Sequence, residues 1–515
     1  MAENSVNLTD SDLNPPGDSL SRRASLTFLS GLAQSGARLA VGLLVTPLLV
    51  RELGAVLYGA WSMIQQAMGW LALTDLRPMG TLKFTLSIEQ HVQDDSRKRR
   101  QVGAAIRLWA FTLPLTILVA VLATVWAPKL LRVSGGEATA VRIAVLVTAA
   151  GVVLDRFLGL WASVLRGLNL DFKGAVSATT SILIGAVLTV VALRAGFGLP
   201  GVAVAAVVTV LIGSGTRYLV ARRHVAWLGA ERPTRDEFHS FVRISYWLLA
   251  GGLGSVLFLS SDVLAIGLAL GPLSAAVYAT TGAALRFATE PLAQLLNSGN
   301  AGMAALCGRQ DWQRVSVVRA EQWLAALGGI TVIGAAVLLL NRSFLALWLG
   351  EGFYGGLVPT ALLVLLALQG QLYRVETVLA DSMMLMREKA RITLMAGGLG
   401  IALGAMLAVP LGLSGMAGGA LIGRSLALVL TPRLIAARLP GREALPLPSR
   451  AIGMSALLLG VASTLSSGVS ITTWLGLVLF AVLIVAVTSA LWFFMALSPS
   501  ERQAFRARVA GAIRI

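Results

Sequence analysis

The feature that most constrains this chain is a succession of apolar segments, each about as long as a bilayer is thick, separated by short polar connections. A membrane helix needs roughly 20 mostly apolar residues. That rule gives about fourteen spans, at 24–50, 54–79, 102–127, 139–165, 175–194, 200–221, 241–269, 272–298, 315–340, 357–386, 392–411, 415–437, 450–467 and 473–497. The gaps at 195–199 and 412–414 are so short that each flanking pair should form a tight helical hairpin. Composition agrees. Over 515 residues, 56% are apolar and 13% charged, against about 25% charged in an average soluble chain. That excludes a soluble enzyme, a disordered scaffold and a secreted disulfide module. The one cysteine, Cys307, and three scattered histidines leave no disulfide and no Cys/His metal site. The expected fold class is an all-α polytopic membrane protein.

The charge is lopsided, with 42 Lys and Arg against 25 Asp and Glu. In a polytopic protein such an excess reports basic cytoplasmic loops. Numbered from a cytoplasmic N-terminus, the even loops and both tails hold 28 of the basic residues and the odd loops hold six. A miscounted span would scramble this alternation, so fourteen spans with both termini inside is the expected topology. Aromatic residues are not interleaved with the arginines and no loop is long enough for a reader domain, so no nucleic-acid partner is expected. Residues 1–23 are polar, contain Pro15 and Pro16, and lack the pattern of a signal peptide. They read as a cytoplasmic tail, as do residues 498–515.

Self-similarity adds an architecture. Leu53-Gly54 precedes Tyr58, and Leu270-Gly271 precedes Tyr278, at an offset of 217. Gly198-Leu199-Pro200-Gly201-Val202-Ala203 is echoed by Gly412-Leu413-Ser414-Gly415-Met416-Ala417, at an offset of 214. Two matches at nearly one offset make 24–222 and 241–438 copies of a six-helix lobe. Six is even, so the lobes are parallel, with substrate expected between them. Residues 450–497 form an extra pair of helices, thirteen and fourteen.

These same residues carry a resemblance. A polar-spotted first helix ends in Leu53-Gly54, then comes Tyr58-Gly59 and a span closing near Asp75, and Asp262, Leu270-Gly271 and Tyr278 echo it. The chain resembles the polysaccharide transporter (Wzx-type oligosaccharide flippase) branch of the multidrug/oligosaccharidyl-lipid/polysaccharide exporter superfamily. The resemblance implies a multi-pass protein of the bacterial inner membrane that moves an undecaprenyl-pyrophosphate-linked oligosaccharide (an O-antigen, capsule or exopolysaccharide unit) outward by alternating access. It implies no catalysis and no cofactor, with Na+ or H+ as candidate coupling ions. Implied partners are the lipid-linked oligosaccharide, membrane lipids, a polysaccharide polymerase and a chain-length regulator. The lipid II flippases are relatives. Their punctuation of the first helix by a Ser-Arg and an Arg-Asp pair is absent here, where that helix reads Gln34-Ser35-Gly36-Ala37-Arg38.

Ionisable side chains inside a membrane are costly and usually face a cavity or a partner. Ser30, Gln34, Arg38, Gly42 and Thr46 recur every four residues and make one slowly drifting polar stripe. Arg38 is therefore expected to meet a lipid-linked phosphate, which guanidinium binds bidentately, or else to sit in a structural pair. Gly282, Arg286, Glu290, Gln294 and Asn297 form a similar stripe on helix eight. Arg286 and Glu290 either neutralise each other as i,i+4 neighbours or hold Arg286 ready for an anion. In the family, helices one, two, seven and eight line the cavity, which favours Arg38 and Arg286 together. Arg77 and Lys83 either recruit a pyrophosphate or reach out to lipid headgroups. Asp262 and Asp75 are candidates for coupling or gating. Arg374, Glu376, Asp381 and Arg424 read as a structural network in the second lobe.

There is no G-x-x-x-x-G-K-[ST] loop, so energy must come from an ion gradient, the membrane potential or product consumption. The connection at 341–356 bears Phe344, Trp348, Phe353 and Tyr354, which read as interfacial anchors. Three rival functions remain open, one of them a lipid II flippase. A cation-coupled drug antiporter would use the acidic residues, and a membrane glycosyltransferase or polymerase would normally need a larger outer domain.

Overall fold

The computed structural model describes residues 20–71, 73–89, 94–168, 170–259, 261–439, 448–499 and 501–503. Most of both expected tails lies outside the described residues. In hydrocarbon every backbone donor and acceptor must be satisfied within its own segment, which leaves the helix as the default. The first part of the chain forms α1 (Leu20–Leu71), α2 (Pro78–Ile88), α3 (Asp95–Leu130), α4 (Gly136–Gly167), α5 (Asp171–Arg194) and α6 (Gly198–His224). The middle forms α7 (Arg235–Leu259), α8 (Asp262–Leu270), α9 (Pro272–Thr281), α10 (Ala283–Ser298) and α11 (Asn300–Gly308). The rest forms α12 (Trp312–Leu349), α13 (Leu357–Ser382), α14 (Met386–Ala436), α15 (Ser449–Leu465) and α16 (Trp474–Ala496).

Among the described residues, eleven helices are long and apolar enough to cross a membrane. Two of these are double, because α1 contains a joint at Gly54 and α14 one at Gly412. With α9 and α10 counted together as one further crossing, the chain makes the fourteen passes expected. Three passes are not the continuous helices that periodicity suggested. The second breaks between Leu71 and Pro78, where Leu76 (φ 58°) and Arg77 (φ 53°) are left-handed. Pro78 cannot continue the preceding helix but suits the first turn of a new one, and the Asp75 carboxylate accepts the Arg77 N–H at 2.8 Å. The seventh pass divides into α7 and α8, and the eighth into α9 and α10.

The repeat is visible in the backbone. Gly54 has φ 78° and ψ 165°, and Gly271 has φ 98° and ψ 169°. Gly198 and Gly412 share positive φ, at 54° and 60°. A side chain at such torsions would be strained, so the matched Leu-Gly pairs mark equivalent corners. The corners lie at one end of the bundle, opposite the arginine-rich end.

Within the first half α4 packs on α6, α5 on α6 and α1, and α3 on α4; within the second, α14 packs on α7 and α13, and α12 on α13. The pair α15 and α16 rests on α12. Between halves, α1 meets α8, α9 and α10, while α2 and α3 meet α7. At the glycine-cornered end a Cβ on Gly59 would stand 1.8 Å from the Pro272 carbonyl oxygen. At the basic end Thr81 and Ser245 hydroxyls lie 2.6 Å apart, Arg99 Nε meets Glu231 at 2.6 Å, and Arg100 Nε meets Glu237 at 2.9 Å. The halves therefore touch at both ends and leave space between.

The Gly59 contact makes a prediction. Gly59→Val should force α1 and α9 apart and open the glycine-cornered end. A cysteine placed at Thr46 should then react with a water-soluble maleimide several-fold faster than in the otherwise unchanged protein; an equal rate would show that the contact does not close this end.

Candidate functional site

A chamber of about 500 Å3 opens between the halves. It is walled by both arms of the Gly54 corner in α1, by α7 to α10, by α13 and by the second arm of α14. Each arm enters where its polar residues recur at helical spacing. After the corner, Tyr58, Trp61, Ser62, Gln65 and Gln66 occupy consecutive turns on one face. The second half contributes Asp262, Tyr278, Arg286, Gln371, Arg374 and Arg424.

The charges are unequal. Arg424 forms an ion pair with Asp262 between α14 and α8, and its guanidinium carbon lies 5.4 Å from the centre of the Phe258 ring. Asp262 is thereby matched. Arg286 has no carboxylate within ion-pair distance among the described residues. Its Nη2 donates to the Ala279 carbonyl at 2.5 Å. Because Gly282 has no side chain, the guanidinium lies against the helix, where a Cβ would stand 2.9 Å from Nη1. Arg286 sits deep among the helices yet is accessible to water, since it faces the chamber. Tyr58 and Tyr278, the two tyrosines of the repeat, are its phenolic neighbours. Arg374 also faces the chamber, with its buried Nε unpartnered. Tyr278 hydroxyl and Gln371 Oε1 are buried without a partner as well. Buried polar groups left unsatisfied are costly, and these three line the same cavity. Its wall carries three guanidiniums and one carboxylate, all from the second half.

Several expected residues stand elsewhere. Arg38 is exposed and does not line the chamber. Its stripe drifts by about 40° every four residues, so Thr46 reaches the chamber while the Arg38 end turns along α10, with Gly31 near Gln294 and Gly42 against Phe287. The expected meeting of Arg38 with Arg286 is not observed. Gln34 is half-buried on α1, outside the chamber. Glu290, Gln294 and Asn297 lie on α10 beyond the lining. Glu290 accepts from Gln294 at 3.2 Å rather than pairing with Arg286, and its charge acts on Arg374. Arg77 extends across to α7, where a Cβ on Gly252 would strike its Nη1, and Lys83 is exposed on α2. Asp75 is buried within the first half, 3.9 Å from Arg156 Nε. Sequence reasoning placed Arg374 and Arg424 in a structural network. It passed over Trp61, Gln65, Gln66 and Gln371, although the Tyr58/Tyr278 repeat pointed to this level of the bundle.

A family profile described as polysaccharide biosynthesis protein matches residues 24–296, just over half of the sequence. The chain belongs to that family. Among curated proteins, none matches the sequence. Among solved structures, the fold is similar to that of the lipid II flippase MurJ in an inward closed conformation (TM-score 0.64, 14% identity, 92% of this chain and 98% of that one). It is similar also to an inward-facing multidrug resistance MATE transporter of the MOP superfamily (TM-score 0.59, 17% identity, 82% and 96%). A third likeness is to a MOP-superfamily transporter from Pyrococcus furiosus described as having a binding pocket of reverse polarity (TM-score 0.57, 16% identity, 81% and 95%). At these identities the likeness establishes the fold.

Outside the chamber, Arg319 and Glu376 form a buried ion pair at 2.6 Å, and Trp323 Nε1 donates to the same carboxylate oxygen at 2.5 Å. Their side chains are 5% and 0% exposed. Removing one partner strands a charge, at a cost of about 3–5 kcal/mol, whereas replacing both with apolar groups costs far less. Glu376→Leu alone should therefore lower the melting temperature in detergent markedly, and adding Arg319→Met should recover most of the loss. No recovery would mean that the pair is not the source of the destabilisation.

Proposed function

We propose that this protein is a flippase for an undecaprenyl-pyrophosphate-linked oligosaccharide in a bacterial inner membrane, working by alternating access. The observation that carries the reading is the excess positive charge of a chamber between two halves of a membrane bundle. Arg286 and Arg374 bind the pyrophosphate, since guanidiniums without carboxylate partners favour anions. Rocking of the halves about the contacts at the two ends exposes the chamber to each side in turn. The lipid tail stays in the bilayer, and no covalent step is needed.

Arg38, Arg77 and Lys83 belong to the approach rather than the chamber. The basic end faces the cytoplasm, as the distribution of Lys and Arg supports, so these three guide the pyrophosphate from the inner leaflet. An anion moving outward runs down a membrane potential that is negative inside, at about 2.3 kcal/mol per charge for 100 mV. That supports transport without a dedicated ATPase, with Na+ or H+ coupling through Asp262 or Asp75 as the added source. A polymerase and a chain-length regulator are the proposed downstream partners. A cationic-drug antiporter fits less well, because its cargo would meet an excess of guanidinium around an already matched Asp262.

The test is outward movement of a polyprenyl-pyrophosphate glycolipid in proteoliposomes, read by lectin access. Arg286→Gln should lower the rate by about 10- to 100-fold, the scale of a lost charge-assisted hydrogen bond, and Arg286→Lys should retain part of it. An undiminished rate in Arg286→Gln would overturn the reading.

A further inference from the structure

The two faces of the chamber differ in chemistry as well as in charge. All charged lining groups lie on α8, α10, α13 and α14. The opposite face, built by the two arms of α1, is uncharged and bears Tyr58, Trp61, Gln65 and Gln66. An aromatic ring offers a flat apolar face with a polar tip. A carboxamide offers two donors and two acceptor sites. Together they suit a ligand whose surface alternates apolar C–H faces with hydroxyl or acetamido groups, and they have little to offer a phosphate.

The amides are not used up by the fold. Gln66 Oε1 accepts the Leu264 N–H at 2.9 Å, which caps α8 beside Asp262 and fixes the carboxamide in orientation. Its two N–H groups keep no described acceptor. Gln65 is exposed to the chamber and has no hydrogen-bond partner among the described residues. The chamber therefore offers an uncharged face with two positioned amides and, opposite it, a face on which unpaired guanidiniums stand beside the Gln371 amide.

We infer that the first-half face is the glycan-recognition wall, and that the ligand bridges the halves, with its pyrophosphate on the second and its neutral sugar on the first. This rests on the flippase reading above and adds which residues choose the cargo. A carrier lipid without its sugar would engage one half alone and give little drive to closure. Sites built to hydrogen-bond a ligand hydroxyl discriminate strongly against analogues lacking it, because their polar groups are left unpaired. Selectivity for glycosylated cargo thus resides in Gln65, Gln66 and Trp61, and affinity for the anion in Arg286 and Arg374.

The experiment compares two probes on the purified full chain, a short-chain polyprenyl pyrophosphate and the same lipid carrying one neutral hexose. Wild-type protein should bind the glycosylated probe more tightly. Gln65→Ala, which removes an exposed side chain without touching a packed one, should weaken the glycosylated probe about tenfold and leave the bare one unchanged. Trp61→Phe, which keeps an aromatic face but loses the indole N–H, should weaken the glycosylated probe less than Gln65→Ala does. The inference is overturned if Gln65→Ala weakens both probes equally or neither. Arg286→Gln tests the parent reading separately. If it spares the bare pyrophosphate probe, the anion site fails; if only the Gln65 result fails, the anion site stands and the glycan wall does not.

Discussion

The closure of Arg424 on Asp262 decides the character of the chamber. It neutralises the one carboxylate of the lining and leaves Arg286 and Arg374 with no carboxylate at ion-pair distance among the described residues. In hydrocarbon, unmatched guanidiniums survive only where water or a ligand reaches them. Chamber, water and ligand are thus linked requirements. A dry packed bundle of the same helices would leave two ions stranded, so the opening between halves is a condition of keeping those arginines where they are. The contrast with Arg319 and Glu376 is instructive. There the same kinds of group are buried with matched charge and no chamber forms.

The halves share glycine corners and differ in the side chains they bring to the chamber. The corners at Gly54 and Gly271 lead to Tyr58 and Tyr278, both neighbours of the Arg286 guanidinium. Beyond those tyrosines the two sequences diverge, to amides and an indole on one side and to arginines on the other. On the proposed reading, the internal repeat supplies the geometry of rocking, and divergence within the seam supplies the chemistry of the cargo.

Much of the fold was legible because membrane crossings impose a length and a charge alternation that a single sequence displays. The repeat was legible because left-handed corners demand glycine, so the Leu53-Gly54 and Leu270-Gly271 pairs had little freedom to drift. The breaks were less legible. Hydropathy over 54–79 shows no interruption, and only Asp75 and Pro78 together explain why the helix stops and restarts. The site was legible by residue type and less so by partner. The stripe through Arg38 rotates slowly, which carries Thr46 into the chamber and turns Arg38 along α10. Spacing on one helix says which side chains share a face. It does not say which neighbouring helix that face meets, so Glu290 looked like the partner of Arg286 while its charge acts on Arg374 across to α13.

On the proposed reading, contacts between the halves at both ends would give rocking its mechanics. At the basic end the seam is polar, with Thr81 on Ser245 and Arg100 on Glu237, while Arg99 holds Glu231 in the connection that leads to α7. Such contacts exchange for water at small net cost. At the glycine-cornered end the seam is backbone against backbone, with Gly59 beneath Pro272, and its strength is steric fit. One end therefore yields to hydration and the other to a change of fit. A ligand that spans the chamber pulls on both walls between these ends. Because dispersion and hydrogen bonding act over short distances, only cargo long enough to touch both faces transmits that pull, and the width of the chamber becomes part of its selectivity.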